Sequence, residues 1–118
     1  MEKRHRRHWR DYRTAAGGRP IKKFFDTLTD GKAAEVVAAM REVADEGLSA
    51  ARHLRGDIYE VRAFAGERNF RVLFAAEGRF GQVLLSLSAF VKKTQKTPYG
   101  ELELAEARLR EWRNRPRA

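Results

Sequence analysis

Cysteine is missing from the sequence, which excludes disulfides and thiolate metal sites, the usual staples of small secreted domains. Long hydrophobic runs are missing too. No apolar stretch approaches the roughly 20 residues a membrane-spanning helix requires, and the basic segment Met1 to Arg13 is not followed by the apolar region of a signal peptide. These absences point to a cytoplasmic protein with no membrane partner. The three histidines and the scattered carboxylates show no ligand spacing such as His-x-x-x-His, so no metal site is expected. Gly17-Gly18 precedes a helical pattern without the Gly-Lys-Ser of a phosphate loop, so neither ATP nor any other cofactor is expected. No repeat, low-complexity block or Ser/Gly linker interrupts the chain. Its 118 residues, 42% hydrophobic and 35% charged, fit a single domain spanning 1–118.

What is present in excess is positive charge. The formal net charge is +9, and 14 of the 25 lysines and arginines fall in three segments: Lys3–Arg13, Lys92–Lys96 and Arg108–Arg117. Asp30–Glu46, by contrast, holds five acids against Lys32 and Arg41. A field this lopsided favours a polyanionic partner, nucleic acid above all, through phosphate neutralisation and counterion release. Small proteins are often basic for no such reason, so charge alone does not decide the matter.

The hydrophobic period divides the chain. Ile21, Phe24, Phe25 and Leu28 recur at helical spacing behind Pro20, a residue suited to a first helical turn. After Thr29 and Asp30, a natural N-cap, Ala33, Val36, Val37, Met40, Val43 and Ala44 trace a second apolar stripe ending near Gly47. From Leu54 the period falls to 2, and Gly66, Gly78 and Gly81 punctuate three strands at hairpin distances: Ile58–Phe64, Asn69–Ala76 and Gln82–Val91. Alternation sets Tyr59, Val61 and Ala63 against Glu60 and Arg62, and Phe70, Val72 and Phe74 against Arg71, Leu73 and Ala75. In the third strand Val83, Leu85, Leu87 and Ala89 alternate with Leu84, Ser86, Ser88 and Phe90. This strand is the most apolar and should be central. A last helix follows Thr97 and Pro98, with Leu102, Ala105, Leu109 and Trp112 on one side. His8–Thr14 can supply one further strand.

The expected architecture is α+β: strand, two helices, three antiparallel strands, helix, with the helices packed on one face of a small antiparallel sheet. The other face, where the polar alternates point, would be open, with Lys92, Lys93 and Lys96 at its rim.

"LRGDIYEVRAFAGERNFRVLFAA" (Leu54 to Ala76), followed by "FVKKTQKTP" (Phe90 to Pro98), closely resembles the phage Gp49-like, HigB-type branch of the RelE/ParE toxin superfamily. The likeness spans Arg19 to Trp112 and is most specific in the lysine-rich segment. It implies a RelE-like fold and the toxin of a type II toxin-antitoxin pair, an RNase that cuts messenger RNA, in most relatives on the ribosome, and is masked by a helix-turn-helix antitoxin. Arg62 matches a basic position on the family's first hairpin strand. Arg71 matches the arginine of its Tyr-Arg motif, Lys92 and Lys93 the basic pair after the last strand, and Tyr99 a tyrosine of the RelE branch. Two departures stand out: Glu60 replaces a lysine of the RelE branch, as in Gp49-like relatives, and Phe70 replaces the tyrosine before the arginine.

A metal-independent RNase needs a base for the ribose 2′-hydroxyl proton, an acid for the leaving 5′-oxygen, and cations around the phosphorane between them. Arg62 and Arg71 suit the last task. Crowding among cations lowers a lysine's affinity for its proton, which makes Lys92, Lys93, Lys96 and Tyr99 candidates for proton transfer. The expected catalytic set is Arg62, Arg71, Lys93 and Tyr99, with Lys92, Lys96 and His53 contacting RNA. Duller uses stand beside these. Arg62 and Arg71 can pair with Glu60, the lysines can merely grip phosphates, and Tyr99 can cap the packing of the last helix. His53 can serve as acid or base. His5 and His8 read as solvated, and Trp9 and Tyr12 as core or as stacking surfaces. Other functions compatible with this fold are gyrase inhibition, as in the ParE branch, and non-catalytic nucleic-acid binding.

Overall fold

The computed structural model describes residues 6–93 and 98–116. Nine elements follow in order: β1 (His8–Asp11), α1 (Pro20–Asp26), α2 (Asp30–Glu46), a short 3-10 turn (Leu48–Ala50), β2 (Arg52–Arg55), β3 (Ile58–Ala65), β4 (Arg68–Glu77), β5 (Val83–Lys92) and α3 (Tyr99–Arg113). The α+β class and the expected order are present. Pro20 stands in the first turn of α1. Thr29 caps α2 by accepting a hydrogen bond from the Lys32 amide. Gly47 ends α2 at φ +89, a conformation that favours glycine.

The strands form one five-stranded sheet in the order β1-β5-β4-β3-β2. β1 runs parallel to β5 and the other pairings are antiparallel, so the sheet is mixed. Two features go beyond the sequence pattern: β2 adds an edge strand beside β3, and β1 docks parallel on β5. β5 is interior, as its apolar composition implies.

The layering also differs from the expected single helical face. Val36, Met40 and Val43 of α2 pack with Val61, Ala63, Phe70, Val72, Phe74 and Leu84 on one side of the sheet. On the other side, Ala105 and Leu109 of α3 pack with Leu73, Ala75, Leu85, Leu87, Phe90 and Tyr12. Leu73 and Ala75, the expected polar-side alternates, are apolar and must be covered; α3 covers them. Among the described residues, no helix's apolar stripe lies over the end of that face carrying Arg62 and Arg71. Trp9 and Tyr12 both serve packing. The Trp9 indole donates to the Met40 carbonyl at 2.7 Å and lies edge-on to Phe74, while the Tyr12 hydroxyl donates to Glu111 at 2.5 Å. Among the described residues no helix is long and apolar enough to cross a membrane.

Candidate active site

A two-residue turn, Gly66-Glu67, joins β3 to β4. Gly66 takes φ +64 there, and the turn pairs Ala65 with Arg68. Counting back from that pair puts Phe64 opposite Asn69 and Arg62 opposite Arg71. Because side chains alternate along a strand, Glu60, Arg62, Phe64, Asn69 and Arg71 share one sheet face. β2 adds Arg52, which pairs with Glu60.

The contribution of β5 depends on an irregularity. Leu73 pairs with Ser88 but Phe74 pairs with Ser86, so Leu87 is an extra residue. This bulge lets Leu87 and Ser88 both face α3, Leu87 in the apolar cluster and Ser88 donating to Glu101 at 2.9 Å. Beyond it the parity of the strand is reversed. Phe90 falls opposite Arg71 and Lys92 opposite Asn69, on the Arg71 face. Arg108 of α3 donates to the Leu87 carbonyl at 2.7 Å and so supports the bulge from above.

Four cations thereby surround one carboxylate. Glu60 is fully buried, Arg71 is 5% exposed and Lys92 is 7% exposed. Arg62 Nε lies 3.3 Å from Glu60 Oε1 and Arg71 Nε lies 3.5 Å from the same oxygen. The second separation meets no hydrogen-bond geometry, and Arg71 Nε lacks a hydrogen-bond partner among the described residues, as does Asn69 Oδ1. Arg71 also donates to the Phe70 carbonyl at 3.2 Å. Burial pulls the Arg71 guanidinium below its ordinary pKa; Glu60 opposes that shift, and Arg62 and Arg52 add to it. The Lys92 ammonium is likewise pushed down, first by burial and then by Arg71, with Glu60 opposing and Arg62 and Arg52 reinforcing.

Of the sequence-derived residues, the structure brings Arg62, Arg71 and Lys92 together. Both arginines do pair with Glu60, so structural pairing and a cationic site are realised by the same side chains. Lys93 follows the strand and is exposed. Tyr99 opens α3, exposed, with the Arg55 guanidinium 5.4 Å from its ring centroid. His53 pairs with Tyr59, its ring 5.0 Å from that of Tyr59, whose alternation follows Val61 on the α2 side. Its Nε2 is 2.8 Å from the Gly56 carbonyl oxygen. Lys96 and His5 lie outside the described residues. Arg52 escaped the sequence reading. Its strand, Arg-His-Leu-Arg, is too short to show a period, and its pairing is irregular before Arg55. Among the described residues no group of three or more His, Asp or Glu side chains is placed to hold a metal ion.

A family model described as "Phage derived protein Gp49-like" matches residues 23–110. The chain belongs to this family. Two curated relatives, each named "Probable endoribonuclease HigB1", come from Mycobacterium tuberculosis strains CDC 1551 / Oshkosh and ATCC 25618 / H37Rv. Each is 38% identical to this Gp49-like chain over 108 residues, covering 89% of this chain and 84% of its own length. The family match spans Arg52, Glu60, Arg62, Arg71 and Lys92, so the whole cluster lies within the Gp49-like region.

Proposed function

We propose that this Gp49-like protein is the toxin of a type II toxin-antitoxin pair, a cytoplasmic endoribonuclease that cuts messenger RNA on the ribosome and is neutralised by a helix-turn-helix antitoxin. The observation that carries the reading is the convergence of Arg62, Arg71 and Lys92 around Glu60 on one face of the sheet, with Arg62 at the surface and the other two beneath it. The relatives named as probable endoribonucleases support it.

Three fixed cations on a rigid sheet fit a scissile phosphate. Arg62, with 41% of its side chain exposed, reaches outward to the phosphate oxygens, and Arg71 adds positive charge from beneath. Lys92 is the best-placed proton acceptor. Its buried ammonium is surrounded by cations that favour the neutral amine. The 2′-hydroxyl loses its proton to that amine, the 2′-oxygen bonds to phosphorus, and the bond to the 5′-oxygen breaks. The leaving oxygen takes a proton from the exposed set, Lys93 and Tyr99. The products are a 2′,3′-cyclic phosphate and a 5′-hydroxyl end. Charge is supplied by side chains, so the reaction is read as metal-independent. Lys96 and His53 are assigned to RNA contact, with His53 the more remote of the two since it pairs on the Tyr59 side.

Tightly controlled expression followed by primer-extension mapping of transcripts tests the reading, with purified protein assayed on free RNA and on programmed ribosomes. New 5′ ends within coding regions are expected, and Arg71→Ala should reduce cleavage about 100-fold or more, the typical cost of losing one donor to transition-state charge. Intact messages together with trapped gyrase-DNA complexes would overturn it.

A further inference from the structure

Phe64 is a large aromatic side chain that the fold does not use. It is 60% exposed and belongs to neither apolar cluster, whereas Phe70 and Phe74 are fully buried in the α2-side core. It stands two residues beyond Arg62 on the same strand face, about 7 Å along β3. Its ring centroid is 5.9 Å from the guanidinium carbon of Arg71, within reach of a cation-π contact. Phe80, 56% exposed, sits in the β4–β5 turn beside Arg79. The arginine against Phe64, unlike Arg79, belongs to the buried cation cluster.

We propose that Phe64 is a stacking platform for one nucleobase of single-stranded RNA, next to the phosphate held by Arg62 and Arg71. The inference rests on the ribonuclease reading and deepens it by naming how the strand is held. Any base offers a π-face to an aromatic ring, and proteins that bind single strands combine such rings with cations that follow the phosphates. Arg71 links the two parts: it faces the phosphate position and lies against the ring. A strand seated this way has its base fixed on Phe64 and its backbone fixed on the cations, which orients the 2′-hydroxyl between them for in-line attack. The occupant is RNA rather than an apolar protein surface because the ring stands beside Arg62 and Arg71. With Arg52 these guanidiniums outnumber the one carboxylate among them, Glu60, and the remaining positive charge calls for a polyanion.

The test uses a message carrying 2-aminopurine beside the cleavage position, with 2′-deoxyribose there to block cleavage, presented free and in programmed ribosomes. Binding by the wild-type protein should quench 2-aminopurine fluorescence. Phe64→Trp should preserve the quench, while Phe64→Leu, similar in volume but not aromatic, should lose it and bind about 10-fold more weakly. The dependence of binding on salt should be unchanged in Phe64→Leu, since stacking releases no counterions, but reduced in Arg62→Ala. With an abasic site replacing the 2-aminopurine, wild type and Phe64→Leu should bind equally. Equal quenching and affinity for wild type and Phe64→Leu would overturn the proposal, as would a Phe64→Leu defect confined to the antitoxin complex. Cleavage of natural message by both proteins would then leave the ribonuclease reading standing. A wild-type protein that neither binds nor cleaves message would remove both.

Discussion

Glu60→Gln isolates the electrostatic logic of the site, because it keeps the side-chain volume and removes only the charge. The carboxylate is fully buried and has Arg62 Nε at 3.3 Å and Arg71 Nε at 3.5 Å. Removing one partner of a buried ion pair costs about 3–5 kcal/mol, since the partner left behind is a charge without water or counter-ion. Here the low end applies: Arg62 is partly exposed and rehydrates, whereas Arg71 and Lys92 do not. The expected loss is about 3 kcal/mol. For a domain of this size that lowers the melting temperature by about 12 °C. Thermal and urea denaturation measure it. Arg71→Met in the Glu60→Gln background should restore part of the loss, because the cation that the carboxylate neutralised is then gone. The coupling between the two sites should exceed about 1 kcal/mol. Sulfate should also raise the melting temperature of Glu60→Gln more than that of the wild type, since an anion can replace the missing carboxylate. A Glu60→Gln melting temperature within about 3 °C of wild type, or strict additivity in the double variant, would refute the idea that one carboxylate holds these cations together.

Two further outcomes follow from the same geometry. Lys92 holds its proton less tightly when folded than its ordinary 10.5. Between that lowered value and 10.5 the unfolded chain carries the extra proton, so the cost of burying Lys92 is full below this window and is relieved as pH rises through it. Lys92→Met should be more stable than wild type by about 1 kcal/mol at neutral pH. The difference should shrink toward pH 10.5, read by urea denaturation across pH, and the variant should lose the rise of cleavage rate with pH. Arg108→Ala should cost about 1.5–3 kcal/mol by removing a charged donor from the Leu87 carbonyl. Its cleavage should fall further than in an equally destabilised variant distant from β5, with partial recovery in Arg108→Lys.

Period and punctuation in the sequence were enough for the class, the helices and the placing of Arg62 and Arg71 on the same face of adjacent strands. Gly66 sits midway between two alternating runs, and a two-residue turn there leaves one pairing open to Arg62 and Arg71. Glu60 was likewise legible as their shared partner. Long-range placement was not legible. The four residues of β2 are too few to show a period, and β1 is a strand because β5 offers it an edge. Nor does an amphipathic pattern say which face of a sheet its helix will cover. The polar-side alternates Leu73 and Ala75 did carry a hint, since an open face would leave both in water.

The assignment of the lysines turns on the same limit. Strict alternation from Leu85 would carry Leu87, Ala89, Val91 and Lys93 to the Arg71 face, making Lys93 the inward lysine. The extra residue at Leu87 shifts the parity, so Ser88, Phe90 and Lys92 arrive there instead. A bulge of this kind has no local signature in "LLSLSAFVKK"; it becomes visible only through its supports on α3, the Arg108 donor to the Leu87 carbonyl and the Glu101 acceptor for Ser88. The last helix is therefore part of the site's construction although none of its described side chains enters the cation cluster. Its apolar stripe covers the far end of the sheet face, and its polar residues hold the kink that turns Lys92 toward Arg71. Loosening α3 from β5 should thus lower cleavage by undoing the position of Lys92 before it undoes the sheet.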